Sequence, residues 1–125
     1  IALVIGNNGY KHLNGLKNAV NDAKAVKEAL EDLNFEVLYL ENGSKKEINS
    51  YLRDFSKMLQ ANSGAGLFYY AGHGVEFGGV NYLIPVDAEI VDKIDVKNES
   101  VPLNDILFRM EEAGNRLNVV ILDAC

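Results

Sequence analysis

Four short, largely apolar runs limit the possible folds of this chain more than any other feature of its sequence. They are Ile1–Ile5, Phe35–Leu40, Leu67–Ala71 and Asn118–Leu122. Because their apolar residues are nearly continuous, the runs indicate strands buried on both faces, as in a parallel sheet. Residues at helical spacing separate the runs. This order predicts the α/β class, with a three-layer α/β/α sandwich around a mostly parallel sheet and one domain over residues 1–125.

Three stretches carry apolar residues at intervals of three and four, which is the spacing of one helix face. They are Ala19–Leu33, Ile48–Leu59 and Leu103–Met110. Ser44 and Glu47 match a capping box just before the second helix. Phe77–Val80 has the composition of a tight hairpin turn. Residues Val86–Ser100 are charged and irregular, so we predict a solvated loop there.

The composition argues against several classes of protein. The formal net charge is −6, so the chain lacks the basic surface of a nucleic-acid-binding protein. Its longest wholly apolar runs have five residues, whereas a membrane-spanning helix needs about 20. The first residues do not show the basic-then-apolar pattern of a signal peptide. We therefore expect no nucleic-acid or membrane partner and, by default, a cytoplasmic location. The single cysteine, Cys125, rules out an internal disulfide or a cysteine-based zinc site.

A histidine and that cysteine follow two of the predicted strands. His73 lies two residues beyond the third run, and Cys125 lies three residues beyond the fourth. Functional groups of open α/β sheets gather at these carboxyl ends, and neighbouring strands are about 4.8 Å apart. If the two strands are neighbours, the thiol and the imidazole can act as a nucleophile and its base. The backbone N–H groups of Gly74 and Cys125 would then face the oxyanion. Each residue alone has a plainer interpretation, as a buried apolar cysteine or a surface histidine.

The segments around these two residues resemble the catalytic segments of the caspase-like cysteine peptidases, the clan of caspases, metacaspases and paracaspases. They are residues 70–74 (Tyr-Ala-Gly-His-Gly) and 122–125 (Leu-Asp-Ala-Cys). In the caspase signature the histidine stands about 50 residues before the cysteine; here the separation is 125 − 73 = 52. Residues 1–6, 21–23 and 82–87 also resemble bacterial members. The resemblance implies the large-subunit part of a cysteine endopeptidase with a His73–Cys125 dyad, without the small-subunit strands.

Two acidic residues acquire a role through the same resemblance. Asp22 matches the acid of the family's Asn-Asp-Ala segment, and Asp123 matches the acid two residues before the cysteine. Caspases carry glutamine at the latter position, so this chain resembles metacaspases there. The resemblance implies that both carboxylates bind an arginine or lysine of the substrate. The plainer interpretations are that Asp22 favours a helix N-terminus and that Asp123 accepts backbone hydrogen bonds.

The resemblance also suggests partners and a possible metal. We expect a protein or peptide substrate, and a small-subunit region C-terminal to Cys125. The alternative is a non-catalytic interaction module, either a pseudoenzyme or a matured fragment. Some metacaspases need calcium, and Asp87 and Asp105 lie roughly where that family's ligands occur. Two carboxylates are too few for a calcium shell of six to eight oxygens, so we predict no obligatory metal or other cofactor.

Overall fold

The computed structural model describes residues 1–62 and 64–124. The predicted nucleophile, Cys125, therefore lies outside the described residues. The helices and strands, in chain order, are β1 (Ala2–Gly6), α1 (Ala19–Asp32), β2 (Val37–Glu41), α2 (Lys45–Ala61), β3 (Ala65–Gly72), β4 (Gly74–Phe77), β5 (Val80–Leu83), α3 (Lys93–Glu99), β6 (Val101–Pro102), α4 (Leu103–Glu112) and β7 (Leu117–Ala124).

Within the described residues, the central sheet has four strands in the order β2-β1-β3-β7, and every neighbouring pair is parallel. A smaller antiparallel sheet, β4-β5-β6, follows the end of β3. The prediction of an α/β fold with a mostly parallel sheet is confirmed. Because all four central strands point the same way, their carboxyl ends form one edge, and the loops that follow them meet there.

Helices cover both faces of the sheet. On one face, Phe68 and Tyr70 of β3 pack with apolar side chains from α2 and α4. On the other face, Tyr69 and Ala71 pack against α1. A Cβ atom on Gly6 would lie 2.6 Å from that of Ala23, so α1 rests directly on the end of β1. Within the described residues, no helix combines the length and apolar composition that a bilayer crossing requires.

Two local features that the sequence predicts are present in the structure. The Ser44 hydroxyl accepts a hydrogen bond from the Glu47 N–H at 3.1 Å, and the Glu47 carboxylate accepts one from the Ser44 N–H at 3.0 Å, completing the capping box. Between β4 and β5, Gly78 and Gly79 have φ values of 61° and 78°. Two successive positive φ values are what a tight two-residue hairpin turn requires, which explains the two glycines.

The segment from residue 86 to 100 differs from its prediction. It contains α3, and Asp92 and Asp95 form a capping box at the start of this helix. The Asp92 carboxylate accepts a hydrogen bond from the Asp95 N–H at 3.3 Å, and the Asp95 carboxylate accepts one from the Asp92 N–H at 3.2 Å. The spacing of Asp92 and Asp95 was a readable helix signal. The sequence analysis missed this helix because the acidic residues of the stretch suggested a solvated loop.

The expectation that residues 118–122 form a strand buried on both faces is wrong for this structure. β7 forms there, but Ile121 is 43% exposed and Leu122 is 37% exposed. Among the described residues, β7 pairs with β3 on one side only. A strand at the edge of a sheet loses the cover that a second neighbour provides, so an apolar run predicted the strand but not its burial.

Candidate active site

The candidate site lies at the carboxyl edge of the parallel sheet, where β3 and β7 end side by side. The strand register pairs Gly72 with Ala124, and these residues immediately precede His73 and Cys125 in the chain. A Cβ atom on Gly74 would lie 3.1 Å from that of Ala124, so the backbone after His73 packs closely against the end of β7. The two segments therefore converge as far as Ala124, and the placement of Cys125 stays a prediction.

The imidazole of His73 is held by the loop between β1 and α1. Its Nε2 atom lies 2.7 Å from the carbonyl oxygen of Asn14. A carbonyl oxygen can only accept, so Nε2 carries the proton, and in the neutral ring Nδ1 is left as the acceptor. The Tyr10 ring packs on the imidazole with 4.5 Å between the ring centroids. This arrangement presents Nδ1 as the basic atom. No sequence pattern predicts this contact, because the Asn14 main chain makes it.

Two tyrosine hydroxyls hold the backbone of His73. The His73 N–H donates to the Tyr10 hydroxyl at 2.7 Å, and the His73 carbonyl accepts from the Tyr70 hydroxyl at 2.7 Å. The two hydroxyls lie 3.1 Å apart, and each lies within 3.1 Å of the Ile84 carbonyl. His73 stands between β3 and β4, where the strand ladder is interrupted. The Ile84 N–H also donates to the His73 carbonyl at 3.0 Å, so Tyr70 adds a second donor there. Tyr10 supplies the partner that the His73 N–H would otherwise find in a ladder.

The same pair of tyrosines explains why residue 72 is a glycine. A Cβ atom there would lie 2.5 Å from the Tyr70 hydroxyl and 2.8 Å from the Tyr10 hydroxyl. The absence of a side chain at this position leaves room for the two hydroxyls. Burial, foremost, and the neighbouring Tyr10 hydroxyl raise the pKa of Tyr70. Tyr70 therefore keeps its proton and remains a hydrogen-bond donor to the carbonyl of His73.

Asp22 and Asp123 line one cavity of about 160 Å³ beside Gly72. Asp22 comes from the first turn of α1, and Asp123 comes from β7. The Tyr69 hydroxyl donates to the Asp123 carboxylate at 3.3 Å. Burial, then Asp123 and then Asp22 raise the pKa of Tyr69 to about 12. Because both carboxylates raise the pKa of the same phenol, their negative charges lie close together. The exposed Lys17 also lines this acidic cavity, leaving it two carboxylates against one ammonium group.

Asp87 and Asp105, the two acidic residues that the resemblance associates with calcium, both lie near helix N-termini. The Asp87 carboxylate accepts a hydrogen bond from the Lys45 N–H at 3.1 Å, at the first turn of α2. Asp105 lies in the first turn of α4. Neither belongs to a group of three or more potential metal ligands in the part of the chain that the structure describes. Carboxylates at helix N-termini have a structural role of their own. That no metal is obligatory stays a prediction.

Comparison with known proteins identifies the family. Over 125 residues, the chain is 33% identical to the human mucosa-associated lymphoid tissue lymphoma translocation protein 1 (Homo sapiens) and 33% identical to its mouse homolog (Mus musculus). The match covers 100% of this chain but only 15% and 14% of those proteins, so the chain spans about one seventh of their length. The family model described as the caspase domain matches residues 1–125. The chain thus belongs to the caspase-domain family.

Proposed function

We propose that this chain carries the catalytic residues of a cysteine endopeptidase, with Cys125 as the nucleophile and His73 as the base. One observation carries the proposal: the pairing of Gly72 with Ala124 at the ends of two neighbouring parallel strands. Consecutive Cα atoms are about 3.8 Å apart, so chain connectivity keeps Cys125 within one residue of Ala124. The caspase-domain family supports a peptidase relationship.

The reaction begins with transfer of the thiol proton of Cys125 to Nδ1 of His73. The thiolate attacks the peptide carbonyl carbon, and the N–H groups of Gly74 and Cys125 donate to the oxyanion. The carbon–nitrogen bond then breaks, and the imidazolium gives its proton to the leaving amine, which forms an acyl-enzyme. Water attacks the thioester with His73 as its base, releasing the acid and the thiol. Throughout, the Asn14 carbonyl accepts from Nε2, which orients the ring and stabilises its positive charge.

The acidic cavity supports cleavage after arginine or lysine. Asp22 and Asp123 give it an excess of negative charge, and a guanidinium group can donate to carboxylates through two parallel N–H groups. The cavity adjoins Gly72, next to the base in sequence. A substrate side chain seated there would place its own carbonyl beside His73. A substrate aspartate would bring a third carboxylate into the same space.

The exposed apolar side chains of β7 offer a contact surface for the expected small-subunit region. Leu117, Ile121 and Leu122 are exposed apolar residues on this strand. A small-subunit region that pairs with the free edge of β7 would cover them and complete the substrate groove. The same surface favours the second candidate function, a non-catalytic module that binds a partner through β7, because exposed apolar strands serve as interaction surfaces.

The decisive experiment uses the full-length protein and matched peptide reporters that differ only in arginine, lysine or aspartate before the cleaved bond. We expect turnover of the arginine and lysine reporters. Cys125→Ala and His73→Ala should each lower turnover by roughly 10³-fold or more, because each removes a member of one proton-transfer unit. His12→Ala is the matched control, since His12 is an exposed histidine on the same loop as Asn14, and it should leave turnover unchanged.

The outcomes separate the two candidate functions. Equal turnover by the wild-type protein and Cys125→Ala would overturn the peptidase proposal, and an absence of turnover would favour the interaction module. Faster cleavage after aspartate than after arginine would leave the peptidase in place and overturn the role of the acidic cavity.

A further inference from the structure

A second cavity adjoins His73 and has a different chemical character. Its volume is about 330 Å³, at the lower end of the range of about 300–1,000 Å³ for ligand pockets. Leu13, Val75, Ile84, Ile90 and Val96 supply its aliphatic lining, together with Asn14, His73 and Gly74. Among the described residues that line it, none is aspartate, glutamate, lysine or arginine. We call it the apolar cavity.

The apolar cavity and the acidic cavity lie next to each other along two segments of the chain. Ala71 and Gly72 line the acidic cavity, and the next residues, His73 and Gly74, line the apolar one. The loop before α1 shows the same change, from residues 13 and 14 at the apolar cavity to residues 16–18 at the acidic one. In both segments the change occurs beside the hydrogen bond between Asn14 and His73.

This arrangement matches the two halves of a peptide around a cleaved bond. The base of a peptidase must come within hydrogen-bond reach of the leaving amine, so the part of the substrate that leaves begins at the imidazole. If the residue before the bond fills the acidic cavity, the residue after the bond has the apolar cavity beside it. Resting on the proposed function, we infer that the apolar cavity binds an aliphatic side chain of the residue that follows the cleaved bond.

The walls of the apolar cavity suit such a ligand. Ile84 is 3% exposed and Val96 is 8% exposed, so they form a fixed floor. The Ile84 carbonyl also accepts from the Tyr10 hydroxyl at 2.9 Å, which ties this floor to the tyrosine pair that holds His73. Leu13 and Val75 are 37% and 38% exposed at the rim. An aliphatic side chain would remove apolar surface of both rim residues from water, which is the source of its binding energy.

The test uses the full-length protein and three peptides with the same arginine before the cleaved bond and leucine, glycine or aspartate after it. The cut position is read by mass spectrometry, and the peptides are compared by kcat/KM. We expect leucine to exceed glycine by about tenfold, in line with the discrimination of apolar pockets, and aspartate to be the poorest. Leu13→Ala should reduce the ratio of leucine to glycine. Leu107→Ala is the matched control, because Leu107 is also 37% exposed but lies on α4, and it should leave the ratio unchanged.

A gain-of-preference variant guards against loss of folding. Val75→Lys places an ammonium group at the rim and should raise the rate for the aspartate peptide relative to the leucine peptide. Equal rates for the three peptides in the wild-type protein would overturn this inference and leave the proposed function intact. If none of the arginine peptides is cleaved, the proposed function fails and this inference fails with it.

Discussion

β3 and β7 are neighbouring strands of equal length, eight residues each, paired in parallel over all eight, yet their environments differ. Phe68 and Tyr70 of β3 are completely buried, whereas Leu117 of β7 is 58% exposed. β3 lies between β1 and β7, but β7 has a strand neighbour on one side only within the described part of the chain. Similar apolar sequences therefore acquire different burial from the number of neighbours.

The difference extends to the candidate site. On the β3 side, the imidazole, N–H and carbonyl of His73 all have partners, contributed by Asn14, Tyr10 and Tyr70. On the β7 side, the Asp123 carboxylate has the Tyr69 hydroxyl at 3.3 Å. The base is therefore held in place before substrate binds, and pre-organisation of this kind lowers the cost of reaching the transition state. The position of Asp123 depends on contacts that β7 receives from β3.

The largest expected effect tests the burial difference directly. Phe68→Ala should lower the free energy of unfolding by about 3–5 kcal/mol, because it opens a cavity in the core. Ile121→Ala, on the neighbouring strand, should cost about 1 kcal/mol or less, because its side chain is already half in water. Urea denaturation of the 125-residue chain measures both, with unchanged slopes showing that the folded state is the same. Equal losses would contradict the comparison.

A smaller effect tests the hydroxyls that β3 contributes to the site. Tyr70→Phe keeps the ring and removes one of two donors to the His73 carbonyl, which also accepts from the Ile84 N–H at 3.0 Å. It should therefore cost about 0.5–1.5 kcal/mol, the net contribution of a typical hydrogen bond. Tyr51→Phe, on α2, serves as the control and should stay within about 0.5 kcal/mol. In the full-length protein, Tyr70→Phe should lower kcat more than it changes KM, since it acts on His73. A stability loss no larger than that of Tyr51→Phe would show that the hydroxyl does not hold the backbone.

Much of the fold was predictable because its signals are local. The continuous run Leu67–Ala71, the capping box at Ser44 and the paired glycines between β4 and β5 each act within a few residues. Burial of β7 was not predictable from the run Asn118–Leu122, because the number of neighbouring strands is a property of the whole sheet. The helix α3 was missed because five acidic residues in that stretch suggested solvent, although two of them cap the helix.

The candidate site, like the fold, was predictable only where a local sequence motif marks its residues. His73, Asp22 and Asp123 could be named from the sequence through motifs that resemble a family. The partners that hold His73 could not, because the Asn14 contact is made by a main-chain oxygen and the Tyr10 contact joins residues 63 positions apart. The Tyr70 contact spans only three residues, but no sequence pattern marks it. Tyr10 and Tyr70 have the sequence signal of ordinary core residues, and only the tertiary fold turns their hydroxyls towards His73.

The smallest expected effect concerns the contact between Tyr69 and Asp123, which joins β3 to β7. The Tyr69 pKa is about 12 in the folded chain, against the ordinary value of 10.0. Between these values the unfolded chain has already lost the proton that the folded chain keeps. The resulting stabilisation is complete below pH 10 and is lost as the pH rises through about 12. Asp123→Asn removes a negative charge beside the phenol, so it should lower the Tyr69 pKa and weaken this pH dependence.

The measurement is the free energy of unfolding at a series of pH values from neutral to alkaline, together with the ultraviolet titration of the phenols. Subtracting the titration of Tyr69→Phe isolates the signal of Tyr69 from the other tyrosines. Asp54→Asn is the control for the lost charge, because Asp54 is an exposed aspartate on α2, and it should leave the Tyr69 midpoint in place. If Asp123→Asn also leaves it in place, the carboxylate does not face the phenol, and the hydrogen bond that ties the end of β7 to β3 is absent in solution.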